Sequence, residues 1–218
     1  MLAEKHGEII MRILAFSDIH GEEAALERLK FIAKSHDRVF VCGDISQNVS
    51  FALTLLDAFP NCLIIPGNWD NEAVNKILQK SPQCVHGKRV EIEDGFNIVG
   101  FGYSLPTPFG TYGEFSEDDF YAGLSKLPID NNTILLLHCP PKGHFDEVLM
   151  GRLIGSESIL KIINEKKPFA AIFGHVHEHM GTDKLGETFL IKLPPANRMH
   201  ACSIEIKDKR IDVDFISL

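Results

Sequence analysis

The chain has 218 residues, of which 44% are hydrophobic and 24% are charged, and these proportions exclude disordered, collagen-like and disulfide-scaffold classes. The length favours one fairly large domain over two. The formal charge of −8 argues against an extended surface for long DNA or RNA, whereas a small phosphate-containing ligand in a local cationic site remains compatible with that charge.

The five cysteines are odd in number, widely scattered and without a C-x-x-C pair. This usage favours a reducing compartment, so we expect a cytoplasmic location. The N-terminal residues contain no apolar signal segment, and no apolar run approaches the 18 residues of a membrane span, so we expect neither export nor membrane insertion. The succession of apolar runs and helical patterns described below starts abruptly at Met11. It predicts an N-terminal extension at residues 1–10 and a single domain at residues 11–218.

Five short apolar runs end in residues that can bind a metal ion, and each run is too short for a typical helix. They are predicted as buried strands at residues 13–16, 39–42, 62–65, 134–137 and 170–173. Helical patterns lie at residues 22–34, 51–59, 72–79 and 156–165, and Ser116 begins a capping-box pattern. The alternation indicates an α/β fold whose functional groups collect outside the carboxyl ends of the strands.

Two other segments alternate apolar and polar residues around a turn. The first runs from Val90 through the Asp94-Gly95 turn to Phe101, and the second joins residues 202–206 to residues 211–215. Each is predicted as a half-exposed strand pair. With the five buried strands, they predict a mixed sheet or two packed sheets flanked by helices.

Seven candidate metal ligands follow the predicted strand ends: Asp18, His20, Asp44, Asn68, His138, His175 and His177. Taken singly, Asp44, Asn68 and His138 are more often hydrogen-bonded or surface residues than ligands. One zinc ion takes three or four protein ligands, so seven groups at successive strand ends indicate two ions. Imidazole, carboxylate and amide groups without thiolate suit Mn, Fe, Zn, Co or Ni better than an all-oxygen calcium or magnesium site.

The spacing within these motifs favours convergence. Asp18 and His20 lie two residues apart after a strand, so both point to the same side if the backbone stays extended, and the same spacing recurs in the later G-H-x-H motif. Gly43 and Gly67 each precede a candidate ligand. Glycine at these positions allows close backbone approach or unusual dihedral angles.

The order D-x-H, G-D, G-N-x-D, H and G-H-x-H resembles the pattern of the calcineurin-like metallophosphoesterases over essentially residues 11–218, and residues 138–143 resemble the Icc-related phosphoesterase subgroup. The resemblance implies an α/β fold, a four-layer αββα sandwich with mixed sheets and a binuclear metal site at the strand carboxyl ends. It also implies that one ion takes Asp18, His20 and His177, that the other takes Asn68, His138 and His175, and that Asp44 bridges them and holds a metal-bridging hydroxide.

Trp69 departs from the family pattern, which usually has a His there to help protonate the leaving group. An indole N–H cannot deliver a proton at neutral pH, so a rate loss of roughly 10²- to 10⁴-fold is expected unless another group compensates. We expect Trp69 to line the site mouth, where it can stack on a base or aryl group, and Asp70 to cap the next helix. Further candidate substrate contacts, for each of which a plain surface position is the favoured alternative, are Lys142, His144, Arg152 and His179.

These features favour a binuclear metallophosphoesterase that hydrolyses a small phosphodiester or an activated phosphomonoester, with two divalent ions for which Mn, Fe and Zn are the leading candidates. One alternative is a non-catalytic protein-interaction scaffold of the same fold, because Trp69 replaces the usual His. Another is a nuclease on long nucleic acid, which the net charge disfavours. The sequence leaves the oligomeric state open.

Overall fold

A computed structural model describes residues 10–218 of the chain. Within this range the helices are α1 (Glu23–Ile32), α2 (Val49–Ala58), α3 (Glu72–Lys80), α4 (Glu117–Ser125) and α5 (Glu157–Lys166). The strands are β1 (Met11–Phe16), β2 (Arg38–Cys42), β3 (Cys62–Ile65), β4 (Lys88–Glu91), β5 (Asn97–Phe101), β6 (Thr133–Leu137), β7 (Glu147–Val148), β8 (Arg152–Leu153), β9 (Ala170–Phe173), β10 (Gly181–Leu185), β11 (Thr188–Lys192), β12 (His200–Lys207) and β13 (Arg210–Ser217). The predicted N-terminal extension lies outside the described residues except for Ile10.

The strands form two large mixed sheets and one short hairpin. The first sheet has the order β13-β12-β1-β2-β3, in which β1, β2 and β3 are parallel and the C-terminal hairpin joins β1 in antiparallel fashion. The second has the order β10-β11-β9-β6-β5-β4, with four parallel strands at its centre and an antiparallel strand at each edge. The short hairpin pairs β7 with β8.

The layers follow from side-chain alternation along the buried strands. In β1, Ile13 and Ala15 face the second sheet, whereas Leu14 and Phe16 face the helices. Helices α1, α2 and α3 cover the outer face of the first sheet, and α4 and α5 cover the outer face of the second. The result is a four-layer αββα sandwich with one apolar core between the sheets and one under each helical layer, which confirms the predicted fold class.

All five predicted buried strands are present, but the description of residues 96–101 as half-exposed was wrong. Every residue of β5 is buried. β5 lies between β4 and β6 in the second sheet, where Ile98 enters the core between the sheets and Val99 packs in the core under α4 and α5. A strand covered on both faces shows no alternating exposure. The C-terminal hairpin behaves as predicted, because β12 and β13 each alternate between more and less exposed residues.

Of the two helix caps predicted from the sequence, one is present and the other was wrong. The predicted capping box at the start of α4 is present, with Ser116 bonded to the amide of Asp119 and the Asp119 carboxylate accepting from the amide of Ser116. The side chain of Asn71 caps α3 by accepting from the amide of Val74, so the cap assigned to Asp70 was wrong. Among the helices of residues 10–218, none has the length and apolarity needed to cross a membrane.

Candidate metal centre

The seven predicted ligands lie in five loops that follow β1, β2, β3, β6 and β9. Backbone hydrogen bonds tie these loops together, because Asp18 N donates to Gly43 O at 3.0 Å and Gly174 N donates to His138 O at 3.2 Å. His138 also links the two sheets, since its Nδ1 lies 2.7 Å from the carbonyl oxygen of Cys42. The loops therefore meet at one rim of the sandwich, where the two sheets adjoin.

One group of potential ligands consists of Asp18, His20 and His177, whose ligand atoms all lie within 4.8 Å of one another. His177 Nε2 is 3.1 Å from Asp18 Oδ1, and the ring centroids of His20 and His177 are 5.4 Å apart. Asp18 is fully buried, whereas both histidines are partly exposed. The group thus has a carboxylate on its inner side and imidazoles on the side that solvent reaches.

A second group consists of Asp18, Asp44 and His138, again with ligand atoms within 4.8 Å of one another. Asn68 Oδ1 lies 2.9 Å from His138 Nε2, which places the amide oxygen at the same group. Asp18 is common to both groups, whereas the resemblance gives the shared position to Asp44. Asp44 nevertheless faces both, because Oδ1 is 3.4 Å from His138 Nε2 and Oδ2 is 3.7 Å from His20 Nε2.

His175 stands beside these groups. Its ring centroid is 5.0 Å from that of His138, and the two rings meet edge to face. Its backbone amide donates to Asp18 Oδ2 at 3.1 Å, so the residue also holds the buried carboxylate in place. Ser17 Oγ donates to the same oxygen at 2.5 Å.

The pKa values of neighbouring groups in the cluster are shifted in opposite directions. Burial alone raises the pKa of Asp18, but the hydrogen bond with His177 and the nearby His138 outweigh burial and hold that pKa well below its usual value. Burial lowers the pKa of His138, and the charge of Asp44 overcomes this and raises it to about 9. Burial and His138 together lower the pKa of His175 to about 3. Such strongly perturbed groups in one cluster are typical of functional sites.

The ligand loops use backbone conformations that the sequence analysis did not foresee. Asp18, His20, Asp44 and His175 all have positive φ, at 55°, 47°, 54° and 72°. The expectation that an extended backbone directs the D-x-H side chains was therefore wrong, although the D-x-H side chains do converge. Non-glycine residues rarely adopt this region, and clusters of them mark sites where structure is held for function.

Glycines make the close packing of these loops possible, as predicted for Gly43 and Gly67. A Cβ on Gly67 would lie 2.0 Å from Asp44 Oδ1, and one on Gly43 would lie 2.6 Å from His138 Nδ1. Gly174 has the same role, because a Cβ there would lie 2.6 Å from Asp18 Oδ2. The cradle around the carboxylates therefore has room for the donor atoms only because three backbone positions lack side chains.

The sequence profile of calcineurin-like phosphoesterases matches residues 11–179, which is most of the chain. The chain belongs to the calcineurin-like phosphoesterase family. The uncharacterized protein MJ1162 of Methanocaldococcus jannaschii is 33% identical to this calcineurin-like chain over 198 residues, which cover 85% of this chain and 88% of that protein.

Solved structures share the calcineurin-like fold. A dimetal phosphatase from Danio rerio has a TM-score of 0.63 at 12% identity, covering 97% of this chain and 99% of that one. A structure described as a novel archaeal phosphodiesterase has a TM-score of 0.54 at 16% identity, covering 95% of this chain and all of that one. At these identities the likeness shows the fold alone.

Trp69 occupies the position where the calcineurin-like pattern usually has a His. Its amide donates to Asp44 Oδ1 at 2.8 Å, so the backbone supports a predicted ligand. The indole ring meets the His20 ring edge-on, with centroids 6.4 Å apart, and the residue is 40% exposed. The indole therefore lies at the margin of the first ligand group and not in the core.

Asp70 holds two ligand loops together, a role that sequence reasoning missed. Its Oδ1 accepts from the amides of Ile45 at 2.7 Å and Ser46 at 3.0 Å, and its Oδ2 accepts from the amide of Gly67 at 2.7 Å. Burial and the charge of Asp44 raise its pKa to about 7, against the lowering effect of these amide donors. The G-N-x-D motif thus contains a structural carboxylate next to a predicted ligand.

Lys192, at the end of β11, is a buried cation near the site that sequence reasoning also missed. It is fully buried, and its Nζ donates to the carbonyl oxygen of Leu193 at 2.5 Å. Burial lowers its pKa to about 8, although the charge of Asp18 opposes that change. A lysine inside the apolar run 189–193 is the signal that could have identified it.

Of the four remaining candidates for substrate contact, three lie on loops and one lies in the hairpin of β7 and β8. Lys142 pairs with Glu157. His144 Nδ1 is 2.7 Å from Asp183 Oδ2, and His179 Nε2 is 2.7 Å from the carbonyl oxygen of Glu147. The fourth candidate, in β8, is exposed: Arg152. Contact of these side chains with a substrate stays a prediction.

Proposed function

We propose that this chain is a binuclear metal-dependent phosphoesterase that hydrolyses a small phosphodiester or an activated phosphomonoester. The observation that carries the proposal is the convergence of carboxylate, imidazole and amide donors from five loops at one rim. Family membership supports phosphoester hydrolysis as the class of reaction. The dimetal phosphatase and the archaeal phosphodiesterase of the same fold agree with that class.

The donor set fits two divalent cations. Asp18, His20 and His177 would hold one ion, and Asn68, His138 and His175 would hold the other, with Asp44 facing both. Bound ions of this kind neutralise phosphoryl oxygens and lower the pKa of water. Because the donors are nitrogen and oxygen atoms without thiolate, Mn, Fe and Zn are the preferred candidates.

The protein's own residues prepare the site. The Nδ1 of His138 donates to the carbonyl oxygen of Cys42, which directs Nε2 into the cluster, and a cation bound there would displace the proton that the raised pKa keeps on Nε2. The inner carboxylate of Asp18 is held ionised by its neighbours. These contacts fix the direction of the Asp18 and His138 side chains before a cation binds.

Trp69 limits which esters react well. Its indole N–H can donate a hydrogen bond but cannot protonate a leaving group. Aryl leaving groups need little protonation, and the exposed indole face offers them a stacking surface. We therefore propose a preference for phosphodiesters or aryl phosphomonoesters over unactivated alkyl monoesters.

The test is a metal screen crossed with aryl and alkyl phosphomonoesters and phosphodiesters. Asp44→Ala should abolish turnover, whereas Asp57→Ala, which removes an exposed carboxylate on α2, should leave it intact. Trp69→His should raise the rate on alkyl monoesters more than the rate on aryl esters. Equal efficiency of the unmodified protein on alkyl and aryl monoesters would overturn the proposed leaving-group preference.

The scaffold alternative predicts an apolar surface patch that binds a partner, together with no turnover under any metal. The assembled ligand cluster argues against it, because binding to a partner protein alone does not require such a cluster. The nuclease alternative predicts salt-dependent binding of DNA, which the charge of −8 disfavours. We place the protein in the cytoplasm because all five cysteines are buried free thiols, which suits a reducing compartment.

A further inference from the structure

The loop between β5 and α4 carries a compact hydrogen-bond cluster centred on Glu114. One carboxylate oxygen, Oε1, accepts from Thr107 N at 3.0 Å and Thr107 Oγ1 at 2.8 Å. The same oxygen accepts from Thr111 N at 2.8 Å and Thr111 Oγ1 at 2.6 Å. Four donors on one oxygen fold the loop into a fixed turn.

This cluster touches a predicted metal ligand. Asn68 Nδ2 donates to Thr111 Oγ1 at 3.0 Å, and the amide of Gly113 donates to the carbonyl oxygen of Asn68 at 3.0 Å. The Asn68 side chain therefore has its NH₂ group on the loop and its Oδ1 on the ligand cluster, 2.9 Å from His138 Nε2.

Counting protons shows why the amide takes this orientation. Burial by itself raises the pKa of Glu114, but the hydrogen bonds from Thr111 and Thr107 outweigh it and lower that pKa to about 2. An ionised carboxylate only accepts, so the single hydroxyl proton of Thr111 is committed to Glu114. The oxygen of Thr111 can then only accept, and the group it accepts from is the NH₂ of Asn68.

The reverse orientation of the Asn68 amide is disfavoured at both ends. Its carbonyl oxygen would face the oxygen of Thr111 with no proton between them. Its NH₂ group would replace Oδ1 beside His138 Nε2, where a cation needs a lone pair. The loop therefore distinguishes two orientations that have nearly the same shape.

We infer that Thr111 and Glu114 are positioning residues, which hold the amide oxygen of Asn68 toward the second of the two cation sites. The inference rests on the proposed function, because it requires Asn68 to be a ligand. It predicts that the hydroxyl of Thr111 affects metal affinity although it does not touch the metal.

Thr107 provides a matched control within the same loop. Its amide and its hydroxyl each donate to the Glu114 carboxylate, as those of Thr111 do. The bond to Asn68, however, comes from Thr111. Replacing either threonine with valine removes one bond to Glu114, but only Thr111→Val removes the acceptor for the Asn68 NH₂ group.

The experiment is a calorimetric titration of metal-stripped protein with Mn²⁺. We expect the unmodified chain to bind two ions, and Thr111→Val to weaken one of them by about 10- to 100-fold, the usual effect of losing an outer-shell partner. Thr107→Val should change neither affinity by more than about twofold, and Thr111→Ser, which keeps the hydroxyl, should restore the original value. Equal effects of Thr111→Val and Thr107→Val, or no effect of either, would overturn the inference.

A second measurement does not depend on how the variants fold. In the metal-stripped original chain, nuclear magnetic resonance should show that the side-chain NH₂ protons of Asn68 exchange with solvent more slowly than those of the exposed Asn131. Equal exchange rates would contradict the inference. If the original chain binds fewer than two ions, the binuclear proposal itself fails, and that outcome is distinct from two ions bound with Thr111→Val unaffected.

Discussion

His86 should make the stability of the fold sensitive to acid. Its ring packs against Phe101, Tyr103 and Phe115, with centroids 5.1, 4.9 and 6.4 Å away. Its Nδ1 accepts from the amide of Gly102 at 2.9 Å, so a proton on that nitrogen would break the bond. Burial, helped by Lys88, lowers the pKa of His86 to about 4.

The size and sign of the effect follow from that value. The unfolded chain protonates this ring near 6.5 and the folded chain near 4, so between these pH values the unfolded state binds more protons. The free energy of unfolding therefore falls as pH falls from 6.5 to 4. A difference of about 2.5 pKa units corresponds to about 3 kcal/mol, and the loss is complete below pH 4.

The assay is urea unfolding between pH 4 and pH 7.5 in the presence of a chelator, with His86→Phe compared with the original chain. The variant leaves the Gly102 amide without its acceptor, so it should be less stable at pH 7.5 by about 1 to 3 kcal/mol. Its deficit should shrink or reverse at pH 4, because it has no ring to protonate. The control Phe115→Leu, which alters the same cluster without removing a titratable group, should keep the original pH dependence. A constant deficit of His86→Phe across the range would refute the reasoning.

Three further predictions concern the ligand loops and the buried cation. Asp70→Asn should lower the free energy of unfolding by about 1 to 3 kcal/mol near pH 3.5, where the Asp70 carboxyl is uncharged in the folded chain, because the new NH₂ faces the amide of Gly67. At pH 8 the deficit should be smaller, because the variant also removes a buried charge from a carboxyl whose pKa is raised to about 7. Urea unfolding that shows the larger deficit at pH 8 would contradict this. Gly67→Ala should weaken metal binding in calorimetry and lower the free energy of unfolding by about 1 to 3 kcal/mol, because the added Cβ overlaps Asp44. Unchanged metal affinity would contradict the conclusion that the absence of a side chain at Gly67 makes room for the Asp44 carboxylate. The lowered pKa of Lys192 means that the unfolded state binds more protons between pH 8 and pH 10.5, so stability should rise by about 3 kcal/mol over that range, and Lys192→Met should lose the rise in urea titrations.

The convergence of the seven candidate ligands was predictable because parallel strands bring their carboxyl ends to one edge of a sheet. The strand assignments and the αββα layers followed from apolar runs and from the family resemblance, and the structure confirms both. What the pattern could not supply is the conformation of the loops. Positive φ at Asp18 and His20 arises from contacts with residues far along the chain, such as the bond from His20 N to Asp44 O at 3.0 Å.

Other features lay beyond the sequence because they depend on distant neighbours. Asp70 resembles an ordinary helix cap in the sequence, and only the approach of the Ile45 loop shows that it binds backbone amides there. The link from Thr111 to Asn68 spans 43 residues and has no periodic signature. The burial of β5 became visible only when its place between two strands was known.

The ligand cluster draws on the first sheet through the loops after β1, β2 and β3, and on the second through the loops after β6 and β9. A cation held there would cross-link two layers that otherwise adhere through apolar contact. Resistance to heat should then depend on the free concentration of the ion, rising with its logarithm once binding saturates. Removal of that metal would therefore weaken the contact between the two sheets as well as abolish the proposed phosphoesterase activity.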